Sequence, residues 1–452
     1  LMKFKSKMPP ALAVKALAAI FLVVAGVSVR ADAQNTTPAV ALVPVAQGLD
    51  HPWAVDFLPQ GQFLITERPG RMRVVSASGQ VSPPLAGVPA VAAGGQGGLL
   101  DVVTDADFAR NRSLFFCFAE PGGEGGGNST ALARATLSQD ASTLQDVKVI
   151  FRQQPKVASN LHFGCRIVQA PDGNLFLTLG ERYHRKDDAQ TLDNHHGKVV
   201  RIRPDGSVPP DNPLRQRPGA QPEIWSWGHR NPQGAAWGPD ARLWVHEHGP
   251  QGGDEINLVL PGRNYGWPVI TYGVNYGLGT RIGEGQSKPG MVQPLHVWVP
   301  SIAPSGMAFV SGSQFPQWQG DLLVGALRGQ MLVRLVLDGE KVLREERLLQ
   351  GRVGRIRDVR MGPGDALYLL TDAANGRVLK VEQAKRMVET LQTLQIATLG
   401  VSLVGVGVSV ASIVYMRTRF NISPGQADFI FSINMGFIIR YLRGHFPITS
   451  NA

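Results

Sequence analysis

A chain of 452 residues, 43% hydrophobic and 18% charged, can bury a sizeable core and is neither disordered nor fibrous; its 52 Gly and 32 Pro favour many turns and short strands over long helices. The formal charge of +10 sits mainly at the ends. Lys3, Lys5, Lys7, Lys15 and Arg30 face only Asp32 in residues 1–33, and Lys385, Arg386, Arg417, Arg419, Arg440 and Arg443 face Glu389 and Asp428 in residues 384–452, so the body between is nearly neutral and a nucleic-acid-binding surface is excluded as its main character.

Residues 1–33 read as a secretory signal. Lysines precede an uncharged stretch over 16–29, and Ala31-Asp32-Ala33 supplies the small-x-small pattern that precedes cleavage, here before Gln34. An uncleaved anchor is the alternative, although the apolar run is short for the ~20 residues a span requires. Export to a bacterial periplasm follows from the signal reading. Two cysteines, Cys117 and Cys165, are too few for a disulfide framework or a zinc cluster and read as two buried free thiols, with a single bridge after export as the alternative.

From 34 to 383 one pattern recurs: a Pro, Gly, Asp or Asn turn followed by residues of strand type. It begins at Pro59 (PQGQFLI), Asp107 (DFARNRSLFF), Pro171 (PDGNLFL), Pro239 (PDARLWV), Pro316 (PQWQGDLLV) and Pro363 (PGDALYL). A spacing of ~58 residues suits a blade of four short strands with its loops, so the body is expected to be all-β, a six-bladed β-propeller whose long connections line a central channel. A pair of β-sandwiches is the alternative.

Four constellations stand in those connections. GGQGGLLD from Gly94 has glycines that let backbone approach a ligand and Gln96 as donor and acceptor, or forms no more than a tight turn. NLHFGCR from Asn160 carries His162, a general base if a carboxylate fixes its tautomer; Glu181, at the end of the strand over 175–179, is the nearest such group. EIWSWGHRNPQG from Glu223 carries Arg230, a planar cation, and Asn231. It is followed by HEHGPQGGDEIN from His246, where His246 and His248 share a face and offer two zinc ligands without a third, while Gly and Pro carbonyls with Asp254 and Glu255 offer oxygens of the kind calcium takes. Finally GRIRDV from Gly354 sets Arg355 and Arg357 on one strand face, and GALR from Gly325 adds Arg328; a solvated charged edge would read the same way.

Taken together, GQGGLLDVV from Gly95, WGHRNPQG from Trp227, EHGPQGGDEIN from Glu247 and NYGWP from Asn264 resemble the soluble, pyrroloquinoline quinone (PQQ)-dependent aldose sugar dehydrogenases of the glucose/sorbosone dehydrogenase family, from Leu49 to Val381. The resemblance implies a six-bladed propeller that oxidises the anomeric hydroxyl of aldoses to the lactone and reduces PQQ with the help of calcium. It implies His162 as the general base, Glu181 as the carboxylate that orients it, and Arg230 beside the quinone. Gln96, Arg230, Asn231, Tyr276, Ala326, Arg328, Arg355 and Arg357 fall at PQQ-contacting positions. The carbonyls of Gly249 and Pro250 match those holding the calcium that bridges PQQ, and Glu255 and Tyr265 match a second, structural calcium. The chain departs from its relatives at Cys165, at Arg328 where lysine is usual, and in YHRKDD from Tyr183.

Residues 384–452 have no counterpart in that family. Residues 396–416 are uncharged and flanked by Arg417 and Arg419, so a membrane-associated tail is one expectation and a buried or oligomerising segment the other. The expected organisation is a signal over 1–33, a dehydrogenase propeller over 34–383 and a hydrophobic extension over 384–452. A calcium-dependent propeller hydrolase, lactonase-like, and a non-catalytic propeller binding glycans or proteins are the rival readings; the three late arginines and Gln96 speak against the first, and His162, Arg230 and Arg357 against the second. The aldose is the expected partner molecule; an electron acceptor, soluble or membrane-bound, is required.

Overall fold

The strands fall into six antiparallel sheets in chain order. The structure, a computed structural model, describes residues 40–122 and 126–383. The expected signal, its cleavage point and the apolar run over 396–416 lie outside the described residues. Among the described residues no helix is long and apolar enough to cross a membrane.

The first blade is β2 (Pro52–Leu58), β3 (Gln62–Glu67) and β4 (Arg71–Val75); the second is β5 (Leu99–Thr104), β6 (Ser113–Pro121), β7 (Asn128–Leu137) and β8 (Leu144–Arg152). The third is β9 (Ile167–Gln169), β10 (Leu175–Leu179), β11 (Lys198–Ile202) and β12 (Ile224–Trp227), with β16 (Arg263–Asn264) added in parallel at its edge. The fourth is β13 (Pro232–Trp237), β14 (Leu243–Glu247), β15 (Asp254–Val259) and β17 (His296–Trp298); the fifth is β18 (Pro304–Phe309), β19 (Leu322–Ala326), β20 (Met331–Asp338) and β21 (Lys341–Leu348). The sixth is β22 (Ile356–Gly362), β23 (Ala366–Thr371) and β24 (Gly376–Gln383), completed by β1 (Val40–Leu49), whose Val40 pairs with Gln383 and Leu49 with Gly376. This pairing of the first and last described strands closes the ring and covers a sheet edge.

Each copy of the sequence repeat proves to be the turn between the first and second strand of a blade. In the copy at Pro171, the Asp172 side chain accepts the amide of Asn174 at 3.0 Å and Gly173 takes φ +82°, the local chemistry that lets the chain reverse there. The blades stack face to face, so middle strands such as LFLTL in β10 are buried along their whole length instead of alternating.

The first strands touch in a closed circle, β2 with β5, β5 with β9, β9 with β13, β13 with β18, β18 with β22 and β22 with β2, and so form the channel wall. All six run the same way along it. The connections entering them, and the hairpins between second and third strands, therefore gather at one mouth, while the repeat turns gather at the other.

Arg166, on the approach to β9, is buried in the channel. Its guanidinium lies 2.9 Å from Asp358 and 3.2 Å from Asp101, donates through Nε to the Gln233 carbonyl at 2.8 Å, and sits 4.3 Å over the Trp53 ring. Arg360 adds a second cation, 2.5 Å from Asp101 and 3.0 Å from Asp358. Five blades are thus tied through one charge cluster.

The free-thiol expectation is corrected. Cys117 of β6 and Cys165 form a disulfide with Cα atoms 6.7 Å apart, a separation a bridge can span. The chain between them, a sequence separation of 48, traverses the outer strands of the second blade and returns to the channel beside β6, a proximity created by blade stacking.

Arg166→Met leaves two buried carboxylates to share Arg360. We expect a loss of about 3–5 kcal/mol, read as a lowered denaturant midpoint with unchanged slope; a midpoint within error of the native one would show that Arg360 alone neutralises the pair.

Candidate active site

Strand direction brings most of the singled-out residues to the entrance mouth. His162 lies on the connection into β9, Glu181 just past β10, Arg230 and Asn231 just before β13, Gln96 just before β5, and Arg355 and Arg357 at the start of β22.

The His162 side chain is only 5% exposed, and its Nδ1 stands 2.6 Å from Glu181 Oε2. Its backbone, at φ +53°, is held by donation from its amide to the Gln96 side-chain carbonyl at 2.8 Å, while the Gln96 amide donates to the Asn160 carbonyl at 2.8 Å. The glycine run is indeed a tight turn, Gly97 N donating to Gly94 O at 2.8 Å, and that turn aims Gln96. Glu181 also accepts the Tyr183 amide, and its own amide donates to the Arg230 carbonyl at 2.9 Å.

Burial lowers the His162 imidazole below its ordinary range, and the charges of Arg230 and Arg182 add to that against the opposing pull of Glu181. For Glu181 burial acts upward, yet His162, Arg230 and the Tyr183 amide hold the carboxyl below its usual range. The pair at neutral pH is a carboxylate against a neutral imidazole. A carboxylate only accepts, so Nδ1 carries the proton and Nε2 keeps its lone pair.

The guanidiniums form the facing wall. Arg230 Nη1 donates to the carbonyls of Gly249 at 2.7 Å and His248 at 3.1 Å, over the Trp267 ring. Arg355 and Arg357 do share a face: both reach Asp372 Oδ2, at 3.1 and 2.7 Å, and His51 Nδ1 takes Oδ1 at 3.2 Å. Burial would raise Asp372, but Arg357, Arg355 and the hydrogen bond from His51 outweigh it and hold the carboxyl well below its ordinary range. One carboxylate against two guanidiniums leaves positive charge in excess. The Nε groups of Arg230 and Arg357 are buried donors without a partner among the described residues, so an anionic group entering here would satisfy them.

Some expectations land elsewhere. Arg328 is exposed and has no ion pair among the described residues, and Tyr276 is 59% exposed on the long connection before β17; both sit on the rim. Ala326 is buried at the end of β19. His246 and His248 do point to one side, but their Nε2 atoms donate to the carbonyls of Ser305 and Pro304 in the next blade, which removes the zinc reading. Asp254 is withdrawn as a calcium oxygen: it accepts the amides of Gly249, Ile302 and Ala303 and the Ser301 hydroxyl. Among the described residues no three or more His, Cys, Asp or Glu side chains gather as for a metal ion.

Glu255 and Tyr265 do line one cavity together with Glu247, Gly249 and Arg230, about 10 Å³ and so sized for a single water or ion. Burial, reinforced by Glu247 and Asp254, pushes the Glu255 carboxyl well above its ordinary range. Tyr265 hydroxyl donates to the Leu258 carbonyl at 2.6 Å and accepts the Leu260 amide at 2.8 Å. A larger cavity of about 540 Å³ opens at the opposite mouth, lined by Trp237, Met307, Phe309 and Arg360, but brings together no acid and base for chemistry.

Asp372 and Arg182 escaped the sequence reading, whereas Tyr183 was noted only as the start of a divergent loop. Asp372 follows β23 at a strand end facing the mouth, a position that could have marked it. Arg182 and Tyr183 both take positive φ, 65° and 66°; Arg182 stacks 3.7 Å over Phe163 and donates to Asn128 at 2.6 Å, while the Tyr183 ring meets His162 edge-on at 5.2 Å.

These features define a class: a six-bladed propeller with a carboxylate-backed imidazole and an anion-binding wall at one channel mouth. The family model for glucose/sorbosone dehydrogenase matches residues 49–380. Aldose sugar dehydrogenase YliI of Escherichia coli is 47% identical over 349 residues, 76% of this chain and 93% of the relative. The crystal structure of the soluble aldose sugar dehydrogenase from Escherichia coli in its apo form superposes with a TM-score of 0.74 at 45% identity, over 76% of this chain and 100% of that one. The PQQ-bound form of an aldose sugar dehydrogenase from Streptomyces coelicolor superposes with a TM-score of 0.63 at 30% identity, over 76% and 99%. The chain belongs to the glucose/sorbosone dehydrogenase family and is an oxidoreductase. The hydrolase and binding-only readings fall with that assignment.

An NMR titration of the histidine rings should place the His162 midpoint below the ordinary imidazole value of about 6.5. Glu181→Gln removes the neighbour that pulls it up, so the midpoint should drop further; a rise would mean that the carboxylate does not face the ring.

Proposed function

We propose that this oxidoreductase is a PQQ- and calcium-dependent aldose dehydrogenase, oxidising the anomeric hydroxyl of sugars to the lactone. The observation that carries the reading is the 2.6 Å contact of His162 with Glu181 opposite partnerless N–H groups of Arg230 and Arg357. The relative from Escherichia coli bears the name of an aldose sugar dehydrogenase, and the one from Streptomyces coelicolor was solved with PQQ.

The residues present suit a tricarboxylate quinone. Arg355 and Arg357 supply charge for carboxylates, Arg230 stands where negative charge would develop, and Gln96 and Asn231 add amides. PQQ, when bound, supplies the two-electron acceptor that this chain lacks. His162 takes the C1 hydroxyl proton on Nε2 as the C1 hydride leaves, and Glu181 stabilises the imidazolium that results. Burial of the pair excludes competing water.

Calcium suits the same mouth in its donor chemistry, since the Gly249 carbonyl is turned inward and now takes a guanidinium hydrogen bond, and the Pro250 carbonyl adjoins it. Bound there, calcium would draw electron density from the quinone. A second ion beside Glu255 and Tyr265 would relieve the strained ionisation of a carboxyl facing Glu247. Export to the periplasm belongs to the proposal: the disulfide Cys117–Cys165 suits an oxidising compartment. A membrane tether through residues 384–452 is a further part of it.

Purified apoprotein should reduce a dye with glucose only after both calcium and PQQ are added; dye reduction indifferent to PQQ removes the reading. His162→Ala should lower kcat by ~10²–10⁴ while PQQ still quenches tryptophan fluorescence as in the native protein. Stripping calcium with a chelator should lower the Tm and raise it again on calcium return.

A further inference from the structure

In the aldose dehydrogenase reading the cofactor sits at the entrance mouth, and the rim there has a definite character. Among the described residues, four of the six most exposed large apolar side chains lie in entrance-mouth loops: Tyr183 at 39%, Tyr276 at 59%, Leu278 at 92% and Val299 at 66%. The last three form one patch. Val274 bridges to Gln251 and to Arg281, setting the Tyr276–Leu278 tip beside the Gly252 loop, where Val299 also packs. The Arg328 amide donates to the Ile302 carbonyl and Gly351 to the Gln330 carbonyl, which carries the patch on to the next two blades.

Cations stand in the loops of the same mouth. Lys186, Arg281, Arg328 and Arg352 are exposed, and among the described residues none of their side chains has a hydrogen-bond or ion-pair partner. The exposed carboxylate Asp187 is likewise free, whereas Glu284 and Asp188 are paired with Lys288 and Arg185. Arg355, sharing one carboxylate with Arg357, adds to the excess. A solvated face needs no such apolar centre, and an obligate interface would carry fewer unpaired charges; apolar contact beside an excess of one charge sign suits a brief encounter steered by electrostatics.

We propose that this rim docks an acidic one-electron carrier protein that reoxidises the enzyme. The inference rests on the aldose dehydrogenase reading. In each cycle the sugar loses two electrons and two protons; the electrons pass singly to two oxidised carriers, each reduced by one, and both protons go to solvent. The balance closes with lactone and two reduced carriers.

The test uses full-length protein reconstituted with calcium and PQQ, saturating glucose, and two forms of one haem carrier: native cytochrome c, which is basic, and succinylated cytochrome c, whose lysines have become carboxylates. At low ionic strength the succinylated form should be reduced at least ~10-fold faster, with the advantage gone at about 0.5 M salt. The combined variant Lys186→Glu, Arg281→Glu, Arg352→Glu should reverse the order while glucose-driven reduction of neutral benzoquinone is unchanged. Leu278→Ser should raise KM for the succinylated carrier and leave KM for glucose alone. Equal rates for the two carriers, or a triple variant that keeps the native order, overturns the proposal. So does salt-sensitive binding to anionic phosphatidylserine vesicles combined with no preference between carriers, which would make the rim a membrane surface. Absence of benzoquinone reduction in the native protein would instead bring down the aldose dehydrogenase reading itself.

Discussion

Arg166 places a positive charge on the channel axis, where Asp101 and Asp358 would otherwise face each other without water. Its four polar contacts reach the second, fourth and sixth blades, and its flat face rests on Trp53 of the first. A ring of blades packed only through apolar faces could slide or breathe at each interface. A buried ion cluster resists that, since any displacement that parts the charges uncovers them in a low-dielectric interior. The position of His162 depends on this, for only three residues separate it from Arg166, and the disulfide at Cys165 pins the link to β6.

Two carboxylates near the mouth do different work because their neighbours differ. Glu181 meets one imidazole and stays ionised through Arg230 and an amide, so it sets a tautomer. Asp372 meets two guanidiniums and a histidine, so it fixes the direction of the arginines without cancelling their charge. Neither could replace the other: a second cation beside Glu181 would weaken the support it gives to a developing imidazolium, and a neutral residue at Asp372 would leave Arg355 and Arg357 to repel each other.

The repeat was legible because each blade begins with a reversal that demands particular residues, and these recur whatever the blade packs against. The site loops were legible in part, through charged or imidazole side chains crowded among glycines. What escaped were relations across the ring. Cys117 and Cys165 are neighbours only because the chain circles the second blade, and Asp372 acquires its meaning from residues of β22 and from His51 at the start of the first blade. His246 and His248 misled in the opposite way: their shared face was correctly anticipated, but the carbonyls that occupy them belong to β18, more than fifty residues on. Periodicity reports the partners within a sheet and is silent on partners between sheets.

Size does not mark the mouth where the unsatisfied cations lie. The cavity of about 540 Å³ at the repeat-turn mouth is lined by Trp237, Met307 and Phe309, and its one cation, Arg360, is already shared among Asp101, Asp358 and Asp56. Chemistry needs groups not yet satisfied, and the buried Nε donors of Arg230 and Arg357, without a partner among the described residues, lie at the other mouth. The uniform direction of the first strands thus separates two tasks. One end of each blade is reserved for compact, strand-starting turns, and the other is left free to vary in length and polarity around a fixed ring of donors.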